Sequence, residues 1–380
     1  MLGKPTSVSS AHSGPSPQND SNGTWAELPW TACSDLPRTG TSFDTCHPWE
    51  TTTFLPLLAD ELYLTAIGCG FSGRIRINAD GEDANVIRVD VTMYSTSPCL
   101  QGEVKVRRCQ PEPGKYGLMF VAPADLDEHD RVFFHVDVRF PSERVVPCPV
   151  TISRLITKLP QFSHIVGQLG ETIMFDYIFL SASNAPITIQ DIRVNHAQLR
   201  TSNAPIEVGF IEATGSLVLA TSNGSINTNT TLTNVGRSGT LLDMCTSNSP
   251  ITSTVELNSQ NAQSGTYQIR ATTSNNALKL CLESALHNTA LRLDASASNG
   301  PVDVQLYPTF EGMFSIQTSN ALANVQYNPK SDPEGEQRQV QQQHSGWSTL
   351  SGTAVRGQGQ KQTFGNVSIT TSNAPVRLCL

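Results

Sequence analysis

The chain has 380 residues and a net charge of −8, and only 15% of its residues are charged, against about 25% in a typical soluble domain. Ser, Thr and Asn therefore carry much of the polar surface, and a phosphate-tracking nucleic-acid binder, which needs a basic stripe, is excluded. No run of about 18 apolar residues is present, so no membrane-spanning helix is expected.

Residues 1–53 read as a disordered or irregular N-terminal segment. Residues 1–20 are rich in Ser, Pro and Gly and hold no apolar h-region of a signal peptide. As written, the chain is expected to be cytoplasmic; a leader outside it would move it to the cell surface or beyond. Cys46-His47 has no second pair in reach and reads as loop rather than half a metal site.

Residues 54–172 read as an all-β module. Alternation is clear over 131–140, with Val132, Phe134, Val136, Val138 and Phe140 on one face, and again at Ile87, Val89, Val91 and Met93. Turn signals such as Asp80-Gly81 and Pro111-Glu112-Pro113-Gly114 separate such runs. The pattern fits a small β-sandwich-like module, the favoured reading, or irregular first coils of the repeat that follows. Within it, Lys105, Arg107 and Arg108 read as a solvated strand face, and His135 as a solvated side chain. Asp125, Asp127, Glu128 and Asp130, with His129, lack the glycine and distal glutamate of an EF-hand loop and read as a solvated turn.

From 173 to 380 the dipeptide Ser-Asn recurs eight times, at Asn184, Asn203, Asn223, Asn248, Asn275, Asn299, Asn320 and Asn373. The first seven lie 19 to 27 residues apart, and the last follows a gap of 53. Six copies carry Thr before the Ser. Three places after each Asn stands Ile187, Ile206, Ile226, Ile251, Leu278, Val302, Ala323 or Val376, all apolar, and the next residue is polar in every copy. That is period-two alternation, a strand with one buried face. A unit of about 20 residues cannot bury such a row alone, but a stack of units can. The Asn suits a sharp corner because it tolerates left-handed backbone. Stacked amides about 4.8 Å apart would also bond one another as a ladder. The expected fold is thus all-β: a C-terminal β-solenoid of about eight coils, interrupted by a Gln-, Gly- and Ser-rich surface excursion at 328–363. That excursion is read as partly disordered, and as a segment that folds back to cap the stack.

The repeated T-S-N-A-P-I run resembles the adhesin-like families of β-solenoid repeats. The residues Leu159-Pro160-Gln161-Phe162 and Phe175-Asp176-Tyr177, with the closing strand over 371–380, look more narrowly like an uncharacterised fungal, basidiomycete-type family of unknown function. That resemblance implies the fold and says little about activity.

No catalytic residue, metal site or cofactor is expected. The coil carboxylates Glu207, Glu212, Asp243, Glu256, Glu283, Asp294 and Asp303 are dispersed, whereas a polysaccharide-cleaving site needs acids within about 5–9.5 Å. No G-x-S-x-G, P-loop or H-E-x-x-H run occurs. Nine cysteines form no C-x-x-C pair, and six fall before residue 150, which allows a few disulfides there. Sequons mark Asn19, Asn22, Asn229 and Asn366 as glycosylation candidates. Asn223 also heads a sequon but is a corner residue, and is expected to stay bare. The expectation for function is a non-catalytic interaction or structural protein, an adhesin-like surface or scaffold. Hydroxyl and amide faces suit carbohydrate or protein partners equally. A polysaccharide-acting β-helix enzyme and an intracellular structural protein are the alternatives.

Overall fold

The computed structural model describes residues 24–32, 47–123, 131–236, 238–260, 265–286, 289–329, 332, 338–345, 348–356 and 365–380. The acidic run 124–130, Cys33, Cys46, Trp347, Asn19 and Asn22 lie outside the described residues. The protein is an all-β solenoid, and the 27 strands among the described residues join in one continuous sheet. Among the described residues the only helical element is a 3-10 turn at Pro98–Gly102.

The local alternation becomes columns. Ile187, Ile206, Ile226, Ile251, Leu278, Val302, Val376 and Ala323 are successive partners across parallel strands. All but Ala323 are buried. Facing them on the other side of the core run Leu62, Leu155, Ile178, Ala197, Leu217, Leu242, Ile269, Leu293, Val367 and Phe314. Each coil thus gives one strand to each side, joined at the Ser-Asn corner, and each buried Leu or Ile contributes roughly 1.5–3 kcal/mol. The unequal coil lengths do not disturb the register. Extra residues leave the stack after Asn234, Ser259 and Ala285, at the edge away from the corner.

Hydrogen bonding does not set residues 54–172 apart. Glu61–Ile67 and Phe71–Gly81 pair in parallel with Val150–Lys158 and Phe162–Gln168, which pair in turn with the first Ser-Asn coils. The first coils fill their interior with rings: Phe71, Phe120, Phe134 and Phe162 meet at 5.1–6.1 Å between centroids. His164 occupies the inner column itself, between Ile75 and Ile187.

At both ends, spatial order departs from chain order by one coil. The coil of Glu61–Ile67 and Phe71–Gly81 lies between the coil of Lys115–Val121 and Val132–Pro141 and that of Val150–Lys158 and Phe162–Gln168. The coil of Gly365–Thr370 and Val376–Cys379 likewise lies between Ala290–Ala297 with Val302–Gln305 and Gly312–Gln317 with Ala323–Gln326.

Four expectations are corrected here. Thr24–Glu27, Thr31–Ala32 and His47–Pro56, read as irregular, are antiparallel strands that extend the N-terminal end. Glu27 bonds Lys105 and Arg107, which were read as merely solvated. The excursion, read as partly disordered, holds two strands among its described residues and folds back on the stack as expected. Arg338–His344 and Thr349–Arg356 form a hairpin laid antiparallel on Gly312–Gln317. A fully buried pair anchors it: Arg338 meets Asp332 through Nη2 at 2.7 Å, and its Nη1 donates to the Phe310 carbonyl at 3.2 Å. Lastly, of the described cysteines of the first half, Cys99, Cys109 and Cys148 are free thiols rather than disulfides.

Candidate functional site

The corner edge is built from backbone outward. At each step the Ser carbonyl of one coil accepts the Ser and Asn N–H groups of the next, as Ser183 does from Ser202 and Asn203, and Ser202 from Ser222 and Asn223. This places every Asn side chain on the outer rim, one strand spacing from its neighbour. The amides bond in one direction: Asn203 donates to Asn184 (2.6 Å), Asn223 to Asn203 (2.7 Å), Asn248 to Asn223 (2.6 Å) and Asn275 to Asn248 (2.7 Å). Asn299 then donates to Asn275 (2.8 Å), Asn373 to Asn299 (2.7 Å) and Asn320 to Asn373 (2.8 Å). All eight are exposed. An amide has two N–H donors and a carbonyl with two lone pairs. An interior Asn spends one of each on the ladder and keeps one of each for what lies outside.

Beneath the amides runs a buried row of threonines whose role the sequence reading missed. Thr221 donates to the carbonyls of Ser202 and Ala204, and Thr246 to those of Ser222 and Gly224. Thr201 and Thr371 do the same one coil earlier and at the last inserted coil. The signal was present: six copies place Thr before Ser, one step inside the corner, where a hydroxyl reaches the carbonyls of the coil behind. Among the described residues, glycines with left-handed backbone include Gly68 (φ 111°), Gly70 (77°) and Gly114 (83°); the asparagines bond at the corner through their amides.

A second feature is a groove of about 790 Å³ lined by Asp80, Glu82, Glu143, Arg144, Glu171 and Asp191. Burial pushes the Asp191 carboxyl up, with Glu171 and Glu212 adding to the rise and Arg193 opposing it. None of the lining acids was among the coil carboxylates weighed from the sequence. Of those coil acids, Glu207 and Asp303 share one outward row four strands apart, while Glu212 and Glu256, and Asp243 and Asp294, share rows two strands apart. Asp303 pairs with Arg377, Glu212 with Arg193 and Asp294 with Arg292. No group of three or more His, Cys, Asp or Glu among the described residues is arranged to hold a metal ion.

His135 is half-buried rather than solvated, edge-on to Tyr94 and Phe133. Burial lowers its pKa, with Arg74 and Arg76 lowering it further. His164 is fully buried beside Thr157, whose Oγ1 lies 2.7 Å from Nε2. Burial lowers its pKa to about 4, opposed in part at the Phe162 backbone. Asn229 and Asn366 are both exposed on outward strand positions, while Asn223 is held in the ladder on both sides. No helix among the described residues is long and apolar enough to cross a membrane.

No family model matches the chain, and no curated protein matches it. One solved structure, a "putative cell adhesion protein" from Clostridium sporogenes, is 8% identical over 87% of this chain and 99% of that one, with a TM-score of 0.21. A likeness that slight carries no argument.

Proposed function

We propose that the chain is a non-catalytic interaction or structural protein, an adhesin-like surface or scaffold, whose working face is the Ser-Asn edge. The observation that supports this is the unbroken ladder of seven amide bonds on exposed side chains. Seven steps of about 4.8 Å make a strip about 34 Å long, with a free N–H and a free lone pair at each interior rung and a Ser beside it. Stacking alone does not demand it, because the earlier coils turn the same corner at Gly68-Cys69-Gly70 and at Pro160-Gln161 with no such ladder. A periodic row of donors and acceptors suits an extended polar partner, a glycan chain or a protein strand. The test is a glycan array and cell-wall polysaccharide pull-down with the wild type and a Ser202→Ala/Ser222→Ala/Ser247→Ala variant. Binding lost in a variant that melts like the wild type supports the edge; binding unchanged by the variant removes it.

One observation favours a second reading, a polysaccharide-acting enzyme: five carboxylates line a single groove. Release of reducing ends from a polysaccharide panel, abolished by Glu171→Gln or Asp191→Asn, would establish it. No release on any substrate would leave the groove as a charged surface.

A further inference from the structure

The coil formed by residues 365–380 is flanked on both sides by coils far from it in sequence. Gly365–Thr370 pairs in register with Ala290–Ala297 on one side and Gly312–Gln317 on the other. Val376–Cys379 pairs with Val302–Gln305 and with Ala323–Gln326. Its corner completes the ladder, with Asn373 donating to Asn299, 74 residues away, and accepting from Asn320, 53 residues away. The Ser298 carbonyl receives the Ser372 and Asn373 N–H groups, and the Ser372 carbonyl receives those of Ser319 and Asn320. Inside, Val367, Ile369, Val376 and Leu378 are fully buried in the two columns. Outside, Arg377 pairs with Asp303.

The flanking coils are themselves consecutive in sequence, yet they stand two rungs apart. Leu306–Glu311 bridges that double step, so the chain leaves a rung-wide slot that only the later segment fills. Both walls of the slot are parallel strand edges with unspent N–H and C=O groups when it is empty, and such edges recruit strands.

We infer that this slot is an interface for a second copy of the chain: residues 365–380 of one molecule fill the slot of another, and the exchange is reciprocal. The strand pairs, corner bonds and ion pair that hold the segment are with residues remote from it, so the same bonds, the same register and the same Arg377–Asp303 pair form when the segment comes from another molecule. A reciprocal exchange closes on itself with two-fold symmetry and leaves no edge unpaired at the slot. The resulting pair carries two Ser-Asn ladders, each completed at its sixth and seventh steps by Asn373 of the other copy. The partner is specified by the slot's own chemistry: a Thr-Ser-Asn corner followed by apolar residues at the third and fifth positions, with a cation at the fourth to meet Asp303.

The test uses two full-length single variants, Ser296→Cys and Thr370→Cys, at positions that face each other across the slot wall. Neither can close that bond within one molecule. The two, one of them isotopically heavy, are mixed at high concentration, carried through mild denaturant and back, and oxidised. Exchange predicts a covalent heterodimer whose crosslinked peptide joins positions 296 and 370, at several times the level of any dimer either variant makes alone. The Ser296→Cys/Thr370→Cys double variant, oxidised when dilute, gives the same crosslink inside one chain. Heterodimer no higher than the single-variant background, with the double variant closing normally, overturns the inference. Failure of the double variant to close overturns it too, because the slot register would then be wrong.

Discussion

The coils before and after residue 173 share one continuous sheet but turn their corners by different chemistry. In the early coils the turn after Glu61–Ile67 relies on Gly68 and Gly70 with positive φ, and the interior is filled by four phenylalanines and a neutral imidazole. In the repeat, the turn is made by Thr, Ser and Asn, and the column behind the corner is aliphatic from Ile187 to Val376. The early coils depend on backbone freedom and irregular packing, which are costly to alter one residue at a time. The repeat spreads its cohesion over many small, equivalent bonds. It follows that the ladder is an addition to the stacked fold rather than a condition of it, which is why the edge is the natural place to look for function.

The contrast is sharpest in acid. Free imidazole takes a proton near pH 6.5, while buried His164 does so only near 4. Between those values the unfolded chain binds more protons than the folded one, so stability falls as pH drops from 6.5 to 4 and is unaffected by this group above 6.5. The full loss is about 3 kcal/mol, and it falls on the early coils. Urea unfolding at pH 7 and 4.5 checks it, with the early coils followed separately by hydrogen exchange: His164→Leu flattens the difference.

Gly68→Ala comes next. The new methyl would lie 2.3 Å from the Ala122 carbonyl oxygen at φ 111°, and the cost is about 2–3 kcal/mol. Thr246→Val strips a hydroxyl from the Ser222 and Gly224 carbonyls, the second of them buried, and costs about 1–2 kcal/mol, with Thr246→Ser restoring most of it. Asn248→Ala breaks two exposed ladder bonds and costs about 1 kcal/mol. Denaturant midpoints at constant slope rank all three. An Asn248→Ala loss as large as that of Gly68→Ala would make the ladder a condition of the fold and erase the distinction drawn above.

The repeat was legible because its signals are local. An apolar residue three places after each Asn, with a polar one next, announces a buried strand face whatever lies elsewhere. The amide ladder could be anticipated for the same reason. The order of the coils could not. The run Thr371-Ser372-Asn373-Ala374-Pro375-Val376 carries the same pattern as its fellows and fits any rung, so nothing in it says that Asn373 sits between Asn299 and Asn320. The gap of 53 residues was a hint, and it was read only as an excursion. The acidic groove was illegible too. Asp80, Glu143, Glu171 and Asp191 come from separate segments that only stacking brings together. Residues 54–81 hid their coil nature because glycine, at Gly68, stands where the motif has Asn.

The central claim is a single edge with an unusual sequence of rungs, and distances along it test that most directly. Spin labels paired at positions 184 and 299, 184 and 373, and 184 and 320 span five, six and seven rungs, or about 24, 29 and 34 Å before the labels' own reach. The account predicts that the pair ending at 373 is shorter than the pair ending at 320, the reverse of their order in the chain. A 184–373 distance longer than 184–320, or three distances that do not rise by about one strand spacing per rung, would contradict it.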